Sequence, residues 1–204
     1  MSGSLERSVS FTFDDGPEEI WTERVIAELN RCRVRATFFA VGERTRRLDG
    51  PVRAAIEAGH DVQLHCHRHV RHTRLSEREL ELDTERALDA LDRVGARPTL
   101  WRAPWGVLTE ASDRVARKFA LRLVGWSIDT HDWRGDAPGT MLAAARPELA
   151  GGGAVLMHDG LGPGALRSGC ANTLALLAPL AAAARELGAA IEPLRSPSPQ
   201  PVPA

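Results

Sequence analysis

The stretch Thr12-Phe13-Asp14-Asp15-Gly16-Pro17 places two adjacent carboxylates between an apolar run and a turn. The apolar run, with Val9 and Phe11 before Phe13, predicts a strand, and Gly16 with Pro17 predicts that it ends there. Two ionised carboxylates this close repel each other unless a cation or an arginine neutralises them. The stretch therefore predicts a metal site at the end of a strand, with further ligands and a positive partner supplied from elsewhere in the chain.

Candidate ligands lie in His65-Cys66-His67-Arg68-His69-Val70-Arg71-His72, which holds four of the seven histidines of the chain. One helical turn would place His65 and His69 on the same face, the spacing of zinc-binding helices, and would point His67 elsewhere. For an isolated pair at this spacing, a polar surface turn is an equally open interpretation. Together with one Asp, however, two histidines make a facial set of three that leaves positions for water and substrate, as a catalytic metal site requires.

Three further segments each combine a short apolar run with polar groups and a chain breaker or a tryptophan. They are Trp101-Arg102-Ala103-Pro104-Trp105-Gly106, Trp126-Ser127-Ile128-Asp129-Thr130-His131-Asp132-Trp133 and Val155-Leu156-Met157-His158-Asp159-Gly160. This pattern predicts buried strands whose carboxyl ends carry chemistry. Arg102 is the candidate positive partner of the acid pair.

The wider pattern alternates strands with helices. Strands are predicted at residues 8–13, 36–41, 61–64, 99–101, 121–126, 154–157 and 190–194. Helices are predicted at residues 19–31, 51–58, 77–94, 110–119, 139–146 and 172–187. Such alternation predicts a parallel α/β fold.

Taken in order, the five segments resemble the five motifs of the polysaccharide deacetylase family, the NodB-homology or carbohydrate esterase family 4 enzymes. The resemblance runs from about residue 8 to about residue 194. It implies an α/β fold, a distorted (β/α) barrel of about seven parallel strands in a single domain, with the motifs at the carboxyl ends of strands. We therefore divide the chain into a NodB-like deacetylase catalytic domain at residues 1–195 and a Pro-rich disordered tail at residues 196–204.

The resemblance also implies a metal centre and a general base. Asp15, His65 and His69 would bind a divalent metal, most often zinc, with cobalt or nickel as alternatives. Asp14 would remain free of the metal and act as the base. Arg102 would pair with Asp14 and hold it ionised and oriented.

A general acid and a substrate pocket follow from the same resemblance. His158 would be the acid, and Asp132 would favour its protonated form. The backbone N–H of Trp105 would join the metal as the oxyanion hole. Leu156 and Trp133 would form the walls of a small pocket for the acetyl methyl group.

Several positions depart from the family pattern. Cys66 replaces the usual Ser or Thr after the first metal histidine, and either a metal-binding thiol or, preferably, a small buried hydrophobe explains it. His67 adds an unusual imidazole, and Trp105 replaces the commoner Tyr, which should reshape the cleft while the backbone N–H is retained. His131 is either a cleft residue or a structural residue at a strand end.

Composition limits the function classes. With 204 residues and a formal net charge of −1, the chain fits one domain and offers no electrostatic argument for nucleic acid or membrane binding. Its three cysteines are odd in number and widely spaced, which argues against a disulfide framework and suits a reducing compartment. The first residues lack a signal peptide pattern, so a cytoplasmic location is predicted unless an export signal has been removed.

These observations predict a metal-dependent deacetylase, a hydrolase acting on linear amide C–N bonds. The favoured substrate is an N-acetylated amino sugar or small-molecule biosynthetic intermediate, because the cytoplasmic prediction conflicts with an exported polymer. One alternative is a cell-wall or chitin-type polysaccharide N-deacetylase. The other is an inactive carbohydrate-binding relative, which we would expect to lack the base or the acid. The sequence leaves the oligomeric state open.

Overall fold

The computed structural model describes residues 8–195, so the predicted tail at residues 196–204 lies outside the described residues. Its centre is one curled sheet in which all strand pairs are parallel. The strands are β1 (Ser8–Asp14), β2 (Thr37–Val41), β3 (Asp61–Cys66), β4 (Leu100–Trp101), β5 (Arg122–Leu123), β6 (Ile128–Asp129), β7 (Gly153–His158) and β8 (Ala190–Ile191). Their order is β5-β4-β3-β2-β1-β7-β6, and β8 pairs with the start of β1.

Helices connect the strands and cover the sheet. They are α1 (Trp21–Arg31), α2 (Gly42–Arg47), α3 (Asp49–Glu57), α4 (Glu77–Asp92), α5 (Glu110–Lys118), α6 (Pro138–Leu149) and α7 (Ala171–Glu186). The arrangement confirms the predicted distorted (β/α) barrel in a single domain. No helix within residues 8–195 is long and apolar enough to cross a lipid bilayer.

The central strand β1 is buried on both faces. Val9, Phe11 and Phe13 are completely inaccessible, and Thr12 between them is equally buried. Its hydroxyl donates to the carbonyl of Val155 on β7 at 2.6 Å, so this polar side chain is satisfied inside the core. A strand covered on both sides is typical of a parallel sheet, and here it ends with its carboxylates at the rim of the sheet.

The prediction that His65 and His69 lie on one turn of a helix is wrong. His65 lies on β3, which pairs with both β2 and β4, and His69 lies in the irregular segment that follows. Val62 and Leu64 are buried within this strand. Hydrogen bonding of β3 to a strand on each side therefore keeps His65 in an extended strand, although the four-residue spacing would also suit a helix. A turn after β3 brings His69 back towards His65.

The strand predicted at residues 121–126 is shorter than expected, and a separate strand follows it. β5 and β6 are the two edge strands in the sheet order, and the short segment at residues 124–127, which contains Gly125, joins them because the sheet curls. The Gly125 carbonyl accepts a hydrogen bond from Arg102 at 2.8 Å. Helix α2 was not predicted, because its six residues carry no apolar periodicity.

Candidate active site

The five motif segments meet around a cavity of about 290 Å³ at the carboxyl ends of the strands. Asp14 ends β1, His65 lies near the end of β3 and His158 ends β7. Arg102 directly follows β4, and Asp132 lies three residues after β6. The cavity is lined by Asp14, Asp15, His65, His69, Trp105, Trp126, Asp129, Trp133, Leu156, His158, Gly160, Gly162, Pro163, Gly164 and Ala165.

Asp15, His65 and His69 form a three-residue ligand set whose candidate ligand atoms lie within 4.8 Å of one another. Asp15 Oδ1 is 3.4 Å from His65 Nε2 and 3.0 Å from His69 Nε2. Burial alone would raise the pKa of Asp15, but the two histidines hold it well below its usual range. The backbone of Asp15 is left-handed, with φ at 74°, as the tight turn before Gly16 and Pro17 requires.

The donor chemistry of this set fits a divalent metal. His65 Nδ1 lies 2.7 Å from the carbonyl of Arg102, and since a carbonyl only accepts, Nδ1 must donate. In the neutral ring, which is the form that binds a metal, Nε2 of His65 then keeps its lone pair on the side of Asp15. Asp15 Oδ1 and His69 Nδ1 are buried without a hydrogen-bond partner among residues 8–195. Two imidazoles and one carboxylate are a set that zinc accepts, with a backbone carbonyl orienting one ligand.

The predicted base is held by a completely buried arginine. Arg102 Nη1 donates to Asp14 Oδ1 at 2.9 Å and to the Thr12 hydroxyl at 2.7 Å, and Nη2 donates to the Gly125 carbonyl. The guanidinium also lies over the ring of Phe39, with 4.2 Å between Cζ and the ring centroid. The arginine thus neutralises Asp14 and fixes its carboxylate beside, but outside, the ligand set.

The predicted acid is held by a buried carboxylate. His158 Nδ1 lies 2.7 Å from Asp132 Oδ1, and the other Asp132 oxygen accepts from Arg167 at 3.0 Å and from Thr173 at 2.7 Å. Burial would lower the pKa of His158, but the negative charges of Asp132, and more distantly of Asp15 and Asp14, raise it to about 9. His158 is therefore protonated at neutral pH, as a proton donor must be.

Aromatic and aliphatic side chains form the walls of the cavity. Trp105, Trp133 and Leu156 line it as predicted, and Trp105 has a left-handed backbone with φ at 54°. The Trp105 ring also contacts His69 edge-on at a centroid distance of 4.2 Å. Trp21 is not among the lining residues.

The other two histidines of the segment, His67 and His72, do not line the cavity. His67 donates its backbone N–H to Asp83 on α4 at 2.7 Å, and His72 Nδ1 lies 2.8 Å from the Ser112 hydroxyl. Cys66 is a buried free thiol and is not among the clustered ligand atoms of the described residues. His131 does not line the cavity, and its backbone N–H donates to Asp129.

Sequence reasoning missed several residues of the site. Trp126 and Asp129 lie in a segment that we had singled out, but without a role, and both line the cavity. The loop at residues 160–165 closes one side, and its Gly-Pro-Gly run directly after the His158 motif was an available signal. Arg167, which binds Asp132, carries no local pattern that distinguishes it from other arginines.

A family model described as Polysaccharide deacetylase matches residues 3–124. The chain belongs to the polysaccharide deacetylase family. The match includes the acid pair, the histidine segment and Arg102. His158 lies beyond it in the sequence and lines the same cavity, where Asp132, also beyond the match, holds its ring. The predicted family is thereby confirmed, and its enzyme class is that of deacetylases that hydrolyse N-acetyl amide bonds.

Two curated relatives show how the family varies. The chain is 36% identical over 170 residues to a chitooligosaccharide deacetylase of Bradyrhizobium sp., covering 79% of this chain and 75% of the relative. It is 34% identical over 156 residues to the peptidoglycan-N-acetylglucosamine deacetylase PgdA of Listeria monocytogenes, covering 75% of this chain. That match spans only 32% of the Listeria protein, so the chain covers about a third of this relative's length.

A solved structure gives the same architecture. The chain superimposes on a family 4 carbohydrate esterase from Streptomyces lividans, in complex with acetate, with a TM-score of 0.79. The identity is 28%, and the match covers 90% of each chain. The fold of that esterase therefore extends over most of this chain, beyond the residues matched by the family model.

Proposed function

We propose that this chain is a metal-dependent N-deacetylase of N-acetylated glycans. One observation carries the proposal: a carboxylate held by a buried arginine and an imidazole held by a buried carboxylate line the same cavity as a three-residue ligand set. Asp14 and His158 are also direct neighbours across the β1–β7 ladder. A binding protein would need neither group, so the pair supports an active enzyme over an inactive relative.

Each residue has a defined part in amide hydrolysis. A metal held by Asp15, His65 and His69 would supply Lewis acidity to water and carbonyl. Asp14 takes the proton of the attacking water, and His158 gives a proton to the departing nitrogen, each contributing about 10²–10⁴-fold in rate.

The cavity walls complete the proposed site. The backbone N–H of Trp105 donates to the developing oxyanion, a contact of about 2.7–4 kcal/mol in comparable sites. Leu156, Trp126 and Trp133 surround the acetyl methyl group and limit the access of bulk water.

The proposed substrate is a glycan rather than a small intracellular metabolite. The relatives are named for peptidoglycan and chitooligosaccharides, which supports the polymer alternative over our initial preference. A direct comparison would be kcat/KM for a free N-acetyl amino-sugar monomer and for a chitin pentamer. At least tenfold preference for the pentamer is expected, whereas a preference for the monomer would restore the small-molecule interpretation.

Metal dependence is tested by acetate release after chelator treatment and after reloading with zinc or cobalt. We expect activity to disappear and to return. His69→Ala should lower bound metal measured by elemental analysis, while His67→Ala, from the same segment, is the matched control and should not. Full turnover by demonstrably metal-free protein would refute the metal proposal without affecting the assigned fold.

A further inference from the structure

Arg44 on α2 is a half-buried arginine that contacts two separate segments of the candidate active site. Its Nη1 atom donates to the backbone carbonyl of Asp15 at 2.9 Å, and its Nη2 atom donates to the backbone carbonyl of Leu161 at 2.7 Å. Glu18 accepts from Nη1 at 3.0 Å and balances the positive charge. One guanidinium therefore joins the turn that carries a candidate metal ligand to the loop at residues 160–165.

The turn and the loop are in close contact where the arginine binds them. A Cβ atom at Gly160 would lie 2.7 Å from the Asp15 carbonyl oxygen and 2.8 Å from Arg44 Nη1, and one at Gly162 would overlap the Asp15 carboxylate. Glycine at both positions lets the loop approach the turn this closely. A shift of the loop would consequently change the surroundings of Asp15 directly.

A second arginine holds the beginning of the same loop from the side of the proposed acid. Arg167 binds the carboxylate that orients the His158 ring, and its Nη2 atom donates to the carbonyls of His158 at 3.1 Å and Gly160 at 3.3 Å. The next carbonyl, that of Leu161, accepts from Arg44. Successive carbonyls of the loop are thus bound from the acid side and from the metal side.

We propose that Arg44 is a positioning residue that holds Asp15 and the loop at residues 160–165 as one unit. This inference rests on the proposed metal-dependent deacetylase function and adds to it a residue from outside the five motif segments. Arg44 does not line the cavity, so it acts through the backbone of residues that do. An arginine suits this part, because its planar fork presents donors to two acceptors in a fixed geometry.

The first measurement is zinc affinity, obtained by competition between the protein and a chelator. Arg44→Met removes both hydrogen bonds, so we expect the dissociation constant for zinc to rise about tenfold, as when other residues that orient a metal ligand are lost. Electrostatics alone predicts the opposite sign, because removing a cation near a divalent ion strengthens binding of that ion. Unchanged or tighter zinc binding by Arg44→Met would therefore overturn the inference.

Two further variants assign the effect to the bridging geometry. Arg44→Lys keeps the positive charge but loses the planar fork, so it should recover at most part of the zinc affinity. Complete recovery would show that charge alone matters and would overturn the inference. Arg47→Met is the matched control, because Arg47 lies on the same helix and pairs with Glu43 at the surface. It should bind zinc as the parent protein does, and a loss equal to that of Arg44→Met would also overturn the inference.

Hydrogen exchange of the metal-free proteins tests the loop separately. Peptides covering residues 160–166 should exchange at least about fivefold faster in Arg44→Met than in the parent protein or in Arg47→Met, because a hydrogen bond that holds the loop is lost. Protection of the central strand β1 should be equal in all three proteins and reports that the fold is intact. Equal exchange of the loop in Arg44→Met and the parent protein would overturn the inference.

Neither measurement requires turnover, so the two separate this inference from the proposed function. Weaker zinc binding and faster loop exchange in Arg44→Met support the positioning role even if no glycan is deacetylated, a result that would refute the enzyme proposal alone. If the parent protein bound no zinc, the metal proposal would be refuted. Faster loop exchange in Arg44→Met would still support the bridge between the turn and the loop.

Discussion

Arg102 is the residue on which the geometry of the base depends. It is completely buried, and its three hydrogen-bond acceptors belong to Asp14, Thr12 and Gly125. Removing one member of a buried ion pair costs about 3–5 kcal/mol, because the remaining charge has no compensation. We expect Arg102→Met to lower the free energy of unfolding by about this amount, measured by urea denaturation.

A surface arginine provides the control for that measurement. Arg31 pairs with Glu28, but its side chain is 66% exposed. Arg31→Met should change the free energy of unfolding by less than about 1 kcal/mol. An equally small loss for Arg102→Met would mean that the buried pair contributes no net stabilisation.

His158 predicts the alkaline side of the pH profile. Its pKa is about 9, because Asp132 outweighs the opposing effect of burial. The protonated form, which acts as the acid, therefore persists through neutral pH and is lost as the pH rises through about 9. Asp132→Asn removes the negative charge, so the alkaline limb of kcat/KM should move to lower pH while bound metal is unchanged. If the alkaline limb of kcat/KM did not move, a group other than His158 would be responsible for it.

At the scale of elements, the loop at residues 160–165 closes tightly on a metal ligand. A Cβ atom at Gly162 would lie 2.1 Å from Asp15 Oδ2, closer than any real contact. Gly162→Ala should displace Asp15 and weaken metal binding by at least about tenfold, measured by competition with a chelator. Gly139→Ala in α6 is the control, since no atom lies within 4 Å of its added Cβ. Unchanged affinity in Gly162→Ala would show that the loop shifts freely.

Helix α4 holds the backbone just before the second metal histidine. Asp83 on this helix accepts the backbone N–H groups of His67 at 2.7 Å and Arg68 at 3.1 Å. Asp83→Ala should remove the two hydrogen bonds that hold this segment and lower metal affinity about tenfold. In other metal sites, losing a residue that orients a ligand by hydrogen bonding has an effect of this size. Asp89→Ala, on the exposed face of the same helix, should leave it unchanged, and an equal effect of the two substitutions would contradict the argument.

For the whole molecule, buried titratable groups predict stability that falls in mild acid. Burial lowers the pKa of His60 and of His72 from 6.5 to about 4 in the folded protein. Between these values the unfolded chain binds both protons and the folded chain does not, so stability is present above pH 6.5 and is lost as the pH falls towards 4.

Asp159 acts in the opposite sense over the same range. Burial raises its pKa to about 7, so its stabilising proton is lost as the pH rises towards that value. For these three groups alone, two histidines against one carboxyl leave a difference of one proton, or about 1.4 kcal/mol per pH unit. Urea unfolding of metal-free protein between pH 4 and 6.5 should show stability rising with pH. A flat or falling curve would contradict this balance.

Much of the site was predictable from short segments of the chain. The acid pair before Gly16 and Pro17, the two histidines and Arg102 were each recognisable from residue type and neighbours, because strand ends and turns depend on local chemistry. The resemblance of five ordered segments to one family then assigned them to one site. The alternation of strands and helices likewise predicted the barrel, since it reflects which faces of each element must be buried.

Other features were decided by tertiary structure alone. His69 reaches Asp15 through a turn after β3, and Trp126 reaches the cavity from the short segment between β5 and β6. Arg167 meets Asp132 across 35 positions of the chain, and Arg102 meets Asp14 across 88. Such contacts depend on strand order and on the curl of the sheet, which no local pattern encodes. What the sequence by itself determined was the set of chemical groups, and only the packed barrel decided which of them meet at the cavity.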